Sequence, residues 1–394
     1  MTQMMKFDTH VCMVSEQIDP NLLPILNKDT RPKKVVLLVS KPMEKIADRL
    51  NEAIEKYVKV SRYPIDDPFD INSIEETLFE VAEKENLTEV GEDGSSEGCV
   101  FNITGGTKLM STACYLFCSQ MDIPFFYLNH QDNDVQLINP KIHMKDGEHI
   151  KHFKLNFQFN EGMFNSYAIA HGYRLVENHD DFVADDTFVQ KFFDEVKKTS
   201  FRNAVAQLNA LASQAKSSQL EVQMLPHRSP EFECLLDVLV EANWVKVKDH
   251  NQKLVFKDEK TRDFLNGKWF EYYLQQQLKT HILKGNRIFR SLEIQTGKYK
   301  NEFDLMFFHE GKSFVIEAKT ALINDDNSKQ DIIHKLSQVS HNFGGHNARA
   351  ALISYQPITD KSVRQRAEDA GISTIHGDQV VGSSLISMLR KWIQ

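Results

Sequence analysis

The 394-residue sequence predicts an α/β protein in three parts. A Rossmann-like parallel sheet covers residues 1–155, a connector covers 156–262 and a second α/β unit covers 263–394. Three observations lead there. Apolar strand-like runs alternate with helical patterns through the first half, the order that builds a parallel sheet. The glycine turn Thr104-Gly105-Gly106-Thr107-Lys108 joins one such strand to a helix. Near the C-terminus, Glu302-Phe303-Asp304 and Glu317-Ala318-Lys319 flank a hairpin pattern.

In order, residues 10–14 are a short apolar run followed by the loop Ser15-Glu16-Gln17. Lys34 to Val39 reads as a second strand, Pro42 to Tyr57 as a helix and Val58 to Tyr63 as a third strand. Asp70 to Asn86 reads as a helix with Asn72 or Ser73 as cap. Glu85 to Gly98 carries Gly, Ser and acidic residues without apolar spacing, which predicts an exposed loop. Residues 98–103 lead into the glycine turn, then a helix from Leu109 to Met121 and a strand from Ile123 to Leu128.

The turn stands at a strand's carboxyl end before a helix, where a parallel sheet binds ligands. Its glycines let backbone N–H groups approach an anion, and the helix N-terminus adds partial positive charge. Thr104 and Thr107 offer hydroxyls and Lys108 a cation. Neither G-x-x-x-x-G-K-[ST] nor G-x-G-x-x-G is present, so a phosphate-bearing ligand is indicated without ATP hydrolysis or NAD binding. The competing reading is a turn with only a structural role.

In the connector, Asp185 to Lys216 is mainly helical, with Phe188, Phe192, Val196, Val205, Leu208 and Leu211 as apolar positions and a break at Gln214 to Ser218. Glu231 to Ala242 reads as a helix. Trp244 to Val247 and Lys253 to Lys257 read as a hairpin around Asp249-His250-Asn251. The helix and hairpin resemble part of a winged helix, expected to act as a spacer or dimer contact more than as a DNA reader.

Asp263 to Leu283 reads as one amphipathic helix, with Phe264, Trp269, Phe270, Tyr273, Leu274 and Leu278 apolar and Glu271 as its carboxylate. Residues 303–309 and 312–320 are strand-like, with Glu310-Gly311 as a two-residue turn. That turn pairs His309 with Lys312 and sets Asp304 opposite Glu317, with Cβ atoms about 4.5–5.5 Å apart. Glu317 and Lys319 project from one face. Like charges that close need a positive partner. A hard divalent cation, Mg²⁺ or Mn²⁺, suits oxygen ligands. Such an ion polarises a phosphoryl oxygen and acidifies a bound water, which points to phosphodiester hydrolysis. Lys319 would orient that water or stabilise developing negative charge. Phe314-Val315-Ile316 argues a buried strand rather than a solvated face. Further patterns at Leu336, Ala350 to Ser354 and Ile372 to Ile375 would complete this sheet. Lys279, Lys284, Arg287, Arg290, Lys298 and Lys300 precede the hairpin, either as phosphate-backbone contacts or as a solvated loop and strand edge.

The chain is 41% hydrophobic and 26% charged, as in globular proteins, and has no run of about 18 uncharged apolar residues that would span a membrane. No apolar signal core follows Met1, and the five cysteines are scattered without C-x-x-C, which predicts a reduced, cytoplasmic protein. Cys114 and Cys118 share a helix face for packing. The net charge of −8 argues against non-specific coating of nucleic acid.

The order helix-Glu, Asp, Glu-x-Lys resembles the PD-(D/E)xK, restriction-endonuclease-like nucleases over residues 263–394. The resemblance puts Glu271, Asp304, Glu317 and Lys319 in the catalytic positions, the three carboxylates as metal ligands. Phe303 stands where that family often has Pro. Residues 102–110, Asn-Ile-Thr-Gly-Gly-Thr-Lys-Leu-Met, resemble the signature of CARF domains, the CRISPR-associated Rossmann folds. CARF followed by PD-(D/E)xK is similar to the ancillary nucleases of type III CRISPR systems. The resemblance implies a homodimer that binds a cyclic oligoadenylate, most often cyclic tetra-adenylate, and then cleaves single-stranded RNA or DNA or duplex DNA. Ligand contacts would come from Thr104, Gly105, Gly106, Thr107 and Lys108, with Ser15 and Gln17 from the loop after the first strand. The alternatives are a CARF-type transcriptional regulator and a restriction or repair nuclease that needs no second messenger.

Overall fold

The computed structural model describes residues 7–87, 98–129, 133–140, 150–155, 159–176, 186–215, 219–250, 252–285, 287–310, 312–323, 332–338, 340, 343 and 348–394. The N-terminal unit runs β1 (Thr9–Met13), α1 (Asp19–Leu26), β2 (Lys34–Ser40), α2 (Glu44–Ile54), β3 (Lys59–Ile65), α3 (Ile71–Lys84), β4 (Cys99–Asn102), α4 (Lys108–Gln120), β5 (Phe125–Asn129), β6 (Asp134–Ile138) and β7 (Ile150–Lys154). Its sheet has the order β3-β2-β1-β4-β5-β6-β7, with β1 to β5 parallel and β6 and β7 antiparallel. Val11, Cys12 and Met13 on β1 and Val35 to Leu38 on β2 are buried whichever face they point to. That is why these strands read as continuous apolar runs.

Two local readings differ from the sequence. The cap of α3 is Asp70, whose carboxylate accepts from the backbone N–H groups of Asn72 and Ser73. Those two residues supply the N–H donors that an N-cap aspartate accepts from. Helix α1 falls in a stretch, residues 18–33, to which the sequence reading assigns no element, and it contains Pro20 and Pro24. Pro20 sits in the first turn, where a missing N–H costs nothing. Pro24 lies inside the helix, two residues before its end, where its missing N–H removes only the bond to the Pro20 carbonyl, and nearly all of the helix's residues are buried.

The connector contributes α5 (Glu161–Ala170), β8 (Arg174–Leu175), α6 (Asp186–Val196), α7 (Arg202–Gln214), β9 (Glu221–Gln223), α8 (Pro230–Glu241), β10 (Val245–Lys248), β11 (Lys253–Phe256) and α9 (Glu259–Asp263). Strands β10, β11 and β9 form a small antiparallel sheet. Within the breaks and loops expected from sequence, residues 88–97, 216–218 and Asn251 lie outside the described residues. The connector does not stand apart. Phe192, Leu208 and Leu235 share one hydrophobic core with Trp269, Phe307 and Ile353. Glu231, Glu233, Asp237 and Glu241 lie along α8, so this helix presents acid to any polyanion.

The C-terminal sheet has the order β16-β15-β14-β13-β12-β8. Its strands are β12 (Ile288–Thr296), β13 (Tyr299–His309), β14 (Lys312–Lys319), β15 (Ala348–Ser354) and β16 (Ile372–His376). His309 pairs with Lys312 as expected, and Glu310 has φ 48°, as the first position of a type I′ turn demands. Gly311 lies outside the described residues. Asp263 to Leu283 is not one helix. A π-turn over Phe264–Lys268 separates α9 from α10 (Trp269–His281), with Gly267 at φ 134°. A Cβ on Gly267 would stand 3.0 Å from Thr320 Oγ1, so backbone angle and close approach both require glycine.

A second core crosses between the two units. Phe164 of α5 stacks on Phe289 of β12 at 4.1 Å between centroids. Phe159 stacks on Phe308 of β13 at 4.1 Å. Leu22 and Phe126 of the N-terminal unit belong to the same apolar cluster.

Candidate active site and ligand turn

Asp304, Glu317 and Lys319 converge at one end of the β13/β14 hairpin. The last ladder pair is Leu305 with Ile316, one step short of the expected Asp304–Glu317 pair. The Asp304 carboxylate takes over there, accepting from the Ala318 N–H at 2.7 Å. Lys319 Nζ lies 2.6 Å from Glu317 Oε1 and 3.7 Å from Asp304 Oδ2. Glu317 is buried, on a strand whose Phe314, Val315 and Ile316 are also buried. Burial pushes the Asp304 carboxyl up to about 6, and the Glu317 charge pushes the same way against Lys319 and the Ala318 N–H. Burial lowers Lys319, yet Asp304 and Glu317 outweigh it and hold the ammonium above its ordinary value.

Glu271 comes from the first turn of α10, which packs on β12. It is buried, and Ser291 Oγ donates to its Oε2 at 2.9 Å. Burial and then the Asp304 charge push the Glu271 carboxyl up to about 8, against the Ser291 hydroxyl. Sequence reasoning missed Ser291, because one serine in a strand-like stretch carries no periodic or motif signal. Of the six basic residues, Lys279 is on α10, Lys284 and Arg287 precede β12, Arg290 is on β12, Lys298 is in the turn after it and Lys300 is on β13. Arg290 lies over the Tyr272 ring at 4.6 Å and Lys298 over Tyr299 at 5.6 Å.

Among the described residues, no three His, Cys, Asp or Glu side chains stand ready-grouped around an ion. The donor chemistry nevertheless fits a hard divalent cation. The site offers carboxylate oxygens in a buried place, and both Glu271 and Asp304 resist ionising there. A cation would release that repulsion and displace the protons. Glu271, Asp304 and Glu317 are the residues that would hold it.

The glycine turn and the loop after β1 lie side by side. A Cβ on Gly105 would stand 2.7 Å from the Met13 carbonyl oxygen and 3.1 Å from Ser15 Oγ. Gly106 has φ 84°, which favours glycine. The two threonine hydroxyls are engaged inside the protein. Thr104 Oγ1 donates to Asn102 Oδ1 at 2.7 Å and accepts from the Leu128 N–H at 2.8 Å. Thr107 Oγ1 donates to the Pro68 carbonyl at 2.8 Å and caps α4 by accepting from the Met110 N–H at 3.1 Å. Ser15 Oγ donates to the Gln17 carbonyl at 3.1 Å. Gln17 and Lys108 are exposed.

Asn102 joins this turn to α1. Pro24 has no N–H to give the Pro20 carbonyl four residues earlier. Asn102 Nδ2 supplies the donor instead, 2.8 Å from Pro20 O and 2.8 Å from Asn21 Oδ1. Asn21 Nδ2 donates in turn to Met13 O at 2.8 Å. One residue before Pro20, Asp19 Oδ1 stands 2.9 Å from His171 Nε2 and accepts through Oδ2 from the Tyr167 hydroxyl at 3.3 Å. Tyr167 packs edge-on to Phe308 at 4.8 Å. Contacts therefore run from the glycine turn through α1 and α5 to β13.

Residues 9–158 match the family model described as the Card1 CARF domain, and residues 258–394 match that described as the Card1-like endonuclease domain. No curated protein gives a match. Among solved structures, protein VC1899 from Vibrio cholerae is 22% identical over 98% of each chain, with a TM-score of 0.80. Can2 from Sulfobacillus thermosulfidooxidans, solved with cyclic tetra-adenylate, is 23% identical over 98% of this chain and 97% of its own, with a TM-score of 0.71. A type III CRISPR defence DNA nuclease activated by cyclic oligoadenylate is 17% identical over 90% of this chain and 47% of its own, with a TM-score of 0.53.

Proposed function

We propose, from the premise that this chain belongs to the Card1-type proteins that join a CARF domain to a Card1-like endonuclease domain, that it is a cyclic-oligoadenylate-activated, divalent-cation-dependent endonuclease of type III CRISPR defence. The observation that carries this reading is the buried convergence of Asp304, Glu317 and Lys319, with Glu271 alongside. Mn²⁺ or Mg²⁺ held by Glu271, Asp304 and Glu317 would supply Lewis acidity and an acidified water. Lys319 would stabilise charge on the phosphoryl oxygens as the bond breaks. Arg290 and Lys298 on the β12 side suit a nucleic-acid backbone, RNA or DNA.

The activator is cyclic tetra-adenylate in the first instance. The backbone N–H groups of Gly105 and Gly106 and the α4 N-terminus would meet its phosphates. Lys108 and Gln17, both exposed, supply side chains, and Ser15 lines the turn. Thr104 and Thr107 would shape the turn through their internal bonds. The protein would act as a homodimer that presents two such turns to one ring. Phe79 on α3 and Leu109, Tyr115 and Leu116 on α4 are exposed apolar residues, which supports association through these helices. The ligand can switch the nuclease only by binding its active arrangement more tightly, and the Asp19–His171 and Tyr167–Phe308 contacts are the proposed route. The test is cleavage of labelled single-stranded RNA, single-stranded DNA and supercoiled plasmid with Mn²⁺, with and without cyclic tetra-adenylate, beside Glu317→Ala protein. Loss of all cleavage in the variant supports the assignment; equal cleavage sinks it.

A further inference from the structure

We propose that Ser291 is a positioning residue of this active site, its hydroxyl holding the Glu271 carboxylate beside Asp304 by means of a kink in strand β12. The inference rests on the nuclease reading above. Strand β12 pairs Arg290 with Leu305 and Leu292 with Phe303, and leaves Ser291, which would face Asp304, out of the ladder. At that point the Ser291 backbone enters the left-handed region, with φ 46°. An L-residue there is strained, and glycine is the usual occupant of such a kink. A serine that accepts the strain needs a use for its side chain.

The side chain has one. Ser291 is 6% exposed, and its Oγ reaches Glu271 Oε2 at 2.9 Å. The flanking contacts fix where that hydroxyl points. Arg290 lies over the Tyr272 ring on α10 at 4.6 Å, and Gln275 Nε2 of α10 donates to the Ile288 carbonyl at 3.0 Å. Leu292 is buried in the core. Helix α10 and strand β12 are thus tied just before Ser291, through Ile288 and Arg290, and the kink turns its hydroxyl across the gap. A flat strand would point that side chain elsewhere.

Ser291→Gly and Ser291→Ala separate this role from a merely structural one. Glycine keeps the kink and relieves its strain, so the melting temperature without cation holds or rises. If the hydroxyl positions Glu271, both variants need roughly 10–100-fold more Mn²⁺ to reach half of the Mn²⁺-induced rise in melting temperature. In both, kcat falls by a similar factor while KM for nucleic acid stays put. Wild-type Mn²⁺ response and kcat in Ser291→Gly would overturn the inference and leave the nuclease reading intact. If wild-type protein neither responds to Mn²⁺ nor cleaves with cyclic tetra-adenylate present, the nuclease reading fails and the inference with it. Should Ser291→Gly not fold, Ser291→Ala decides by the same two readouts.

Discussion

Replacing Glu271 with glutamine separates the electrostatics of the site from its chemistry. Burial and Asp304 raise the Glu271 carboxyl from 4.5 to about 8. A carboxyl raised on folding takes up its proton as the chain folds. The stability it lends is full below 4.5 and is lost as pH rises through about 8. One pKa unit is worth about 1.4 kcal/mol, so wild-type protein without divalent cation loses about 2 kcal/mol between pH 6 and pH 8 through this group. Glu271→Gln cannot ionise, so its stability lacks that slope and exceeds the wild-type value at pH 8. Mn²⁺ restores wild-type stability at pH 8, because the cation takes the place of the proton, and does little for the variant. The assay is urea unfolding followed by tryptophan fluorescence at pH 6, 7 and 8, with EDTA or with Mn²⁺. Equal pH slopes in the two proteins, or a variant less stable at pH 8, would refute the reasoning.

Three further outcomes are expected. Gly267→Ala, at φ 134° and 3.0 Å from Thr320 Oγ1, loses about 1–3 kcal/mol in urea unfolding and slows cleavage by shifting the segment after Lys319. His10 is buried and held down at about 3 from 6.5, so the stability it lends is present above 6.5 and lost as pH falls toward 3. Wild-type protein therefore drops about 2 kcal/mol more than His10→Phe between pH 7 and pH 5, read as the difference between their unfolding curves. Asp19→Asn weakens the bond to His171, so cyclic tetra-adenylate binds as before in calorimetry while activated cleavage falls at least about fivefold.

The hairpin was legible because a two-residue turn fixes register. Once His309 faced Lys312, the meeting of Asp304, Glu317 and Lys319 followed by counting. The parallel sheet was legible because strands buried on both faces leave unbroken apolar runs, as at Val35 to Leu38. Helix α1 was hidden because its proline cost is met from a distance, by an asparagine on β4. The break at Gly267 was hidden because apolar periodicity continues across it, and the steric demand comes from Thr320 on a distant segment. Ser291 and the Asp19–His171 contact were hidden for the same reason: each acquires meaning only from a partner that the fold delivers. The hydroxyls of Thr104 and Thr107 show the converse. Residues that look made for a ligand in sequence are bound to the protein's own carbonyls, carboxamide and N–H groups.

The most direct test of the switch is the initial rate of nucleic-acid cleavage with Mn²⁺ as cyclic tetra-adenylate is added, using wild-type protein and Lys108→Ala. The account predicts little cleavage without the ring, a steep rise with it in wild-type protein, and a rise shifted to higher ring concentration in Lys108→Ala. Cleavage at the same rate with and without the ring would contradict it.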